Sequence, residues 1–81
     1  MPLSKRWRDL DRDAVGATPN RYGVVEFGTD GEVESIEVGV VRDTVKDAVA
    51  YGDHGQVRWQ AAQNRDHAER LAADHRDRHR M

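Results

Sequence analysis

The chain has 81 residues, no cysteine, 13 basic and 15 acidic side chains and a formal net charge of −2. That length makes one domain burying only about 60% of its unfolded-state surface, which argues against a deep enclosed pocket. The absence of cysteine excludes a disulfide framework and thiolate metal centres, the charge balance gives no general attraction to nucleic acid, and no apolar run approaches the roughly 20 residues needed to span a bilayer.

Hydrophobic content is low at 37%, but the apolar residues are grouped into periodic segments, as expected of a folded rather than a disordered chain. Lys5 and Lys46 are the only lysines, and ten of the fifteen acids are aspartates. Short acids with few lysines suit a surface adapted to concentrated salt; a GC-rich genome gives the same bias. The opening residues Met1-Pro2-Leu3-Ser4-Lys5-Arg6 lack a signal-peptide core, so a soluble cytoplasmic protein is expected.

The first predicted element is a short helix over residues 4–15, with Trp7, Leu10 and Ala14 at helical spacing, Ser4 as its cap and Gly16 as its stop. Pro19 then pushes Thr18 toward extended geometry, and Asn20 suits a turn. Two strands follow, residues 21–27 and 33–40, folded over the Gly28-Thr29-Asp30-Gly31 turn cluster. In the second strand, alternation sends Ile36, Val38 and Val40 to one face and Ser35, Glu37 and Gly39 to the other.

A second helix runs to Tyr51 with Val41, Val45, Ala48 and Val49 on one stripe. Residues 56–61 alternate polar with apolar side chains and read as a third strand carrying Val57, Trp59 and Ala61 to the core. Asn64 can cap a last helix, with Asp66 in its positive first turn and Ala68, Leu71, Ala72 and His75 facing inward. The expected fold is α+β: a small three-stranded sheet flanked by helices in the order α-β-β-α-β-α, with a helix in 1–16, a core over 19–75 and a frayed tail at 76–81.

Pro19-Asn20-Arg21-Tyr22-Gly23-Val24-Val25-Glu26-Phe27, Asp30-Gly31-Glu32-Val33, Ile36-Glu37-Val38-Gly39 and Arg42-Asp43 together resemble the GIY-YIG nuclease domain, of the kind found in the incision subunit of excision repair. The resemblance covers most of the chain and implies the same element order. It also implies a groove at Val25, Glu37, Arg42 and Ala72, with two of the family's tyrosines replaced by Val25 and Glu37 and its metal-binding glutamate replaced by Ala72. Only the arginine, Arg42, is retained, on a connection from Gly39 shorter than the family's. Tyr22 lies three residues from position 25, an odd separation that points it to the other face. Glu69 lies off the Ala68, Leu71, Ala72 stripe. Without two phenols and a metal carboxylate the implied domain is catalytically silent, with no catalytic residue, metal or cofactor.

His67, His75 and His79 lie at helical spacings beside Asp74, an arrangement that suits a zinc or nickel site, although a solvated terminal helix is the plainer reading. His54 sits in a Gly-Asp-His-Gly turn and reads as a loop residue. Arg58 and Arg65, with Arg42, are the candidate nucleic-acid contacts, set against interspersed acids that favour a salt-bridged surface. Glu37 and Arg42 are expected to pair. A protein-interaction or regulatory module, engaging a protein partner or itself through a sheet edge, is the leading reading, and a nucleic-acid binder that has lost cleavage is the alternative.

Overall fold

A computed structural model of the chain describes residues 7–52 and 55–79. In chain order the elements are β1 (Arg8–Asp9), α1 (Arg12–Ala17), β2 (Tyr22–Thr29), β3 (Glu32–Val40), α2 (Val41–Tyr51), β4 (Gln56–Ala61) and α3 (Arg65–His79). The strands form one antiparallel sheet in the order β1-β4-β2-β3, so β2 lies inside and the nine-residue β3 forms an edge.

The hairpin turn is tighter than the turn cluster suggested. Thr29 pairs with Glu32, leaving Asp30 and Gly31 as the two loop residues, both at positive φ (53° and 80°). Asp-Gly is the residue pair that a two-residue turn of this hand favours, because its twist matches the flanking strands. A bulge after Phe27 resets the register toward the turn.

Side-chain alternation along β2 and β4 divides the molecule into two apolar layers. On one face Val25, Phe27, Val57 and Trp59 pack under Val41 and Val45 of α2 and Ala14 of α1. On the other, Val24 and Ile36 meet Ala72 of α3, with Val33, Val38 and Leu71 around them. Every core residue in β2 is fully buried because this strand has a partner on each side and a helix over each face.

The α+β class stands, with a correction to the strand count. The N-terminal segment expected to be a helix over residues 4–15 instead supplies a short fourth strand, β1, pairing Arg8 with Val57 and Asp9 with Gln56. The helix is displaced to α1, because Asp11 adopts extended backbone and its Oδ1 accepts the Ala14 N–H at 3.0 Å, which caps the helix there. Gly16 lies inside that helix, which ends where extended Thr18 precedes Pro19. Ser4, the cap first expected, lies outside the described residues, as does His54.

At the other end, α3 continues through His79, so the tail expected to fray from residue 76 is helical that far. Arg76 anchors it by donating to the Ile36 carbonyl at 3.0 Å. Arg80 and Met81 lie outside the described residues.

Candidate functional site

Glu26 is a charged residue in the middle of the apolar run of β2, and its side chain is fully buried on the α3 face. An unpaired carboxylate there would be strongly unfavourable, so the surrounding elements must supply counter-groups. Arg58, directly across on β4, donates from Nε to Oε1 at 2.6 Å. His75 on α3, also fully buried, brings Nδ1 to 3.0 Å from Oε2.

The Trp7 ring closes the cluster, with the Arg58 guanidinium carbon 4.2 Å from its centroid. Gly28 leaves room for that ring: a Cβ there would approach Trp7 to 2.9 Å and collide with the Glu32 carbonyl. Alternation along two strands and one helical face thus converge on a single carboxylate.

The polarity of the bonds follows from the pairing. A carboxylate held by a guanidinium can only accept, so His75 donates from Nδ1. Its Nε2 is buried and has no hydrogen-bond partner among the described residues. Leaving one polar atom unsatisfied costs about 1 to 3 kcal/mol, set against the His75 bond to Glu26 that ties α3 to the sheet and the Arg58 bond that joins β4 to β2. With Glu26 and His75 sealed from solvent, the arrangement is suited to fixing a helix rather than to meeting a substrate.

The positions singled out by the nuclease resemblance do not converge. Val25 belongs to the layer under α1 and α2, whereas Ala72 lies in the layer under α3, on the opposite face of the sheet. Glu37 pairs in register with Val25 and is exposed. Arg42 is exposed as well, and its guanidinium donates to the Thr18 carbonyl at 2.9 Å. The expected Glu37–Arg42 ion pair is not formed among the described residues, because the start of α2 directs Arg42 toward the loop that precedes β2.

Of the remaining candidates, Arg58 is committed to Glu26 and Trp7, while Arg65 is exposed with Nε 3.7 Å from Glu69. The histidines also part company. His67 Nδ1 accepts the Gln63 N–H at 3.1 Å within the capping turn, and its own N–H reaches Asn64 Oδ1 at 2.8 Å. His75 turns inward to Glu26, so the helix end is not simply a solvated face. Among the described residues no group of three metal-binding side chains is close enough to hold an ion.

His75 is legible from the inward stripe of α3, whereas Glu26 is not among the residues that the sequence patterns single out. The signal was available: one acid inside a run of Val24, Val25 and Phe27 demands a partner, and Arg58 occupies the matching place in the next strand.

Fold and site together define a small α+β domain whose polar centre is an internal ion cluster. By family the chain belongs to DUF7508, a domain of unknown function, whose match spans residues 1–78. No match to it was found among curated proteins or solved structures. No helix among the described residues is long and apolar enough to cross a membrane.

Proposed function

We propose that this domain is a catalytically silent, cytoplasmic binding module that engages another polypeptide through the edge of its sheet. The observation that carries the reading is the position of β3: nine residues of strand at the rim of a sheet whose two faces are already covered by helices. A strand in that position offers unpaired backbone groups to an incoming chain.

Silence in catalysis is supported by the withdrawal of the strongest polar constellation, Glu26 with His75, from solvent. The GIY-YIG likeness is retained as a proposal about topology. A hairpin, a helix, a strand and a helix follow one another in the order that the resemblance implies. No active groove is taken from it, since Val25 and Ala72 lie on opposite faces. The aspartate-rich surface belongs to the same proposal as an adaptation to salt.

The test is a comparative capture at the ionic strength of the source cell, with the chain and its Val38→Pro variant as baits. Proline is tolerated on an edge strand where the lost N–H faces outward. Partners retained by the parent and lost by the variant are expected; identical partner sets would remove the reading. Incubation of plain and branched DNA with magnesium or manganese is expected to leave both substrates intact.

A nucleic-acid binder without cleavage is the second reading, favoured by one arrangement. Val41 N–H bonds to the Arg21 carbonyl and Ala62 N–H to the Tyr22 carbonyl, which gathers exposed Arg21, Arg42 and Arg65 at one end of the sheet. Salt-sensitive duplex binding that disappears in Arg42→Glu/Arg65→Glu would support it, and no binding at low salt would remove it.

A further inference from the structure

Two backbone bonds reveal which groups β3 turns outward. Ala62 N–H donates to the Tyr22 carbonyl, and Val41 N–H to that of Arg21. Even-numbered residues of β2 therefore direct their polar groups toward β4, and odd-numbered ones toward β3. Since Gly23 pairs with Gly39 and Val25 with Glu37, the odd residues of β3 from Ser35 to Gly39, beyond the bulge, bond inward and Ile36, Val38 and Val40 face the open side.

Two of those outward carbonyls are occupied. Thr44 Oγ1 donates to Val40 at 3.0 Å, and the Arg76 guanidinium donates to Ile36 at 3.0 Å. Among the described residues the N–H of Ile36 and both polar groups of Val38 have no further partner and remain to pair with an added strand.

The flanks of this edge differ in character. Toward α3 lie Val33, Ile36 and Val38, which are apolar. On the other side Glu32 and Glu37 are exposed, and neither has an ion-pair partner among the described residues. An incoming strand is therefore met by apolar neighbours on one side and by carboxylates on the other.

A second copy of the chain is poorly matched to this edge. Outward groups pair only even with even. Setting Ile36 against Ile36 displaces both Arg76 caps, and setting Ile36 against Val38 brings the two Glu37 carboxylates face to face, which is destabilising. Setting Val38 against Val38 places Ile36 opposite Val40, whose carbonyls are already held by Arg76 and Thr44.

From this geometry we infer that the β3 edge takes an extended cationic peptide as a fifth strand, with lysine or arginine at alternate positions over Glu32 and Glu37. The inference rests on the reading of the domain as a binding module and adds the chemistry of the partner. Main-chain bonds to Ile36 and Val38 supply the attachment, and the two carboxylates supply the selection.

The experiment titrates the full chain with a synthetic peptide alternating lysine and valine, with its glutamate-valine counterpart, and with the lysine peptide N-methylated at alternate amides. Affinity is read by fluorescence anisotropy and location by amide NMR shifts. The lysine peptide is expected to bind and to move the Ile36 and Val38 amide resonances. N-methylation, which keeps the charge and removes the strand donors, is expected to weaken it by about tenfold or more, a loss of roughly 1.4 kcal/mol or more. Glu37→Lys, at an exposed position, is expected to weaken it to a similar extent.

Equal binding of the methylated peptide, or shifts that map to another surface, would overturn the inference. So would preferential binding of the glutamate peptide at β3, which leaves the binding-module reading standing; the absence of any peptide at this edge would remove both.

Discussion

Glu26 illustrates how a single side chain can set the arrangement of three elements. Its oxygens are divided between Arg58 of β4 and His75 of α3, so replacing it takes the carboxylate from a half-buried guanidinium and a buried imidazole together. Glu26→Ala is therefore expected to destabilise the fold by about 3 to 5 kcal/mol in urea unfolding. Replacing Glu26 and His75 together by leucine is expected to lose less than Glu26→Leu alone, since the second change removes the imidazole and its unpartnered Nε2. A double variant that loses as much as the sum would show Glu26 and His75 to be energetically independent. Ala72 offers a second test at this scale. Ala72→Glu restores the carboxylate type of the resembled nucleases, but at a fully buried position across the sheet from Val25. It is expected to lower stability by several kcal/mol and to yield no metal-dependent cleavage, as measured by thermal melting and a DNA assay.

Among the elements, the turn and the helix caps follow local rules closely enough to be altered singly. Gly31 holds φ at 80° with open space around its α-carbon, so Gly31→Ala meets backbone strain and no collision. The expected loss is about 1 to 2 kcal/mol, read from the urea midpoint. Asn64 receives the His67 N–H at 2.8 Å at the head of α3, and Asn64→Ala is expected to cost about 1 kcal/mol. That loss falls on the helix carrying His75, so amide exchange in α3 should accelerate before exchange in β2. The two strands of the hairpin, α2, β4 and the capped α3 were legible because alternation, helical stripes and turn residues agree within each segment. The N-terminal segment misled because Trp7, Leu10 and Ala14 fit a helical stripe, whereas Trp7 packs on Arg58 and Arg8 pairs with β4.

For the molecule as a whole, the topology predicts where stability is concentrated. β2 is flanked by β3 and β4, and its side chains fill both apolar layers. Amides of residues 24–27 are expected to exchange only through global unfolding, while those of α1, a six-residue helix packed against α2, exchange through local opening. Exposed aspartates at positions 9, 11, 13, 30, 43, 47, 66 and 77 crowd the surface with acid. On the salt-adaptation proposal the melting temperature should rise between about 0.1 M and about 1 M potassium chloride, where the screening length falls to about 3 Å. A falling melting temperature would remove that part of the proposal.

Local pattern alone was sufficient for the class of the fold, the existence of the hairpin, the limits of β4 and the inward faces of α2 and α3, because each depends on residues a few positions apart. It also gave His75 its inward orientation. The narrowing of the turn to Asp30 and Gly31 came with the strand pairing. Only tertiary structure could bring Glu26, Arg58 and His75 together, since they are separated by 32 and 49 positions and meet through strand register and helix docking. The same distant geometry separated Val25 from Ala72 and left β3 at the rim. Which side of a sheet a helix covers, and which strand lies outermost, is set by how the elements pack on one another, and no periodicity within a single segment carries that information.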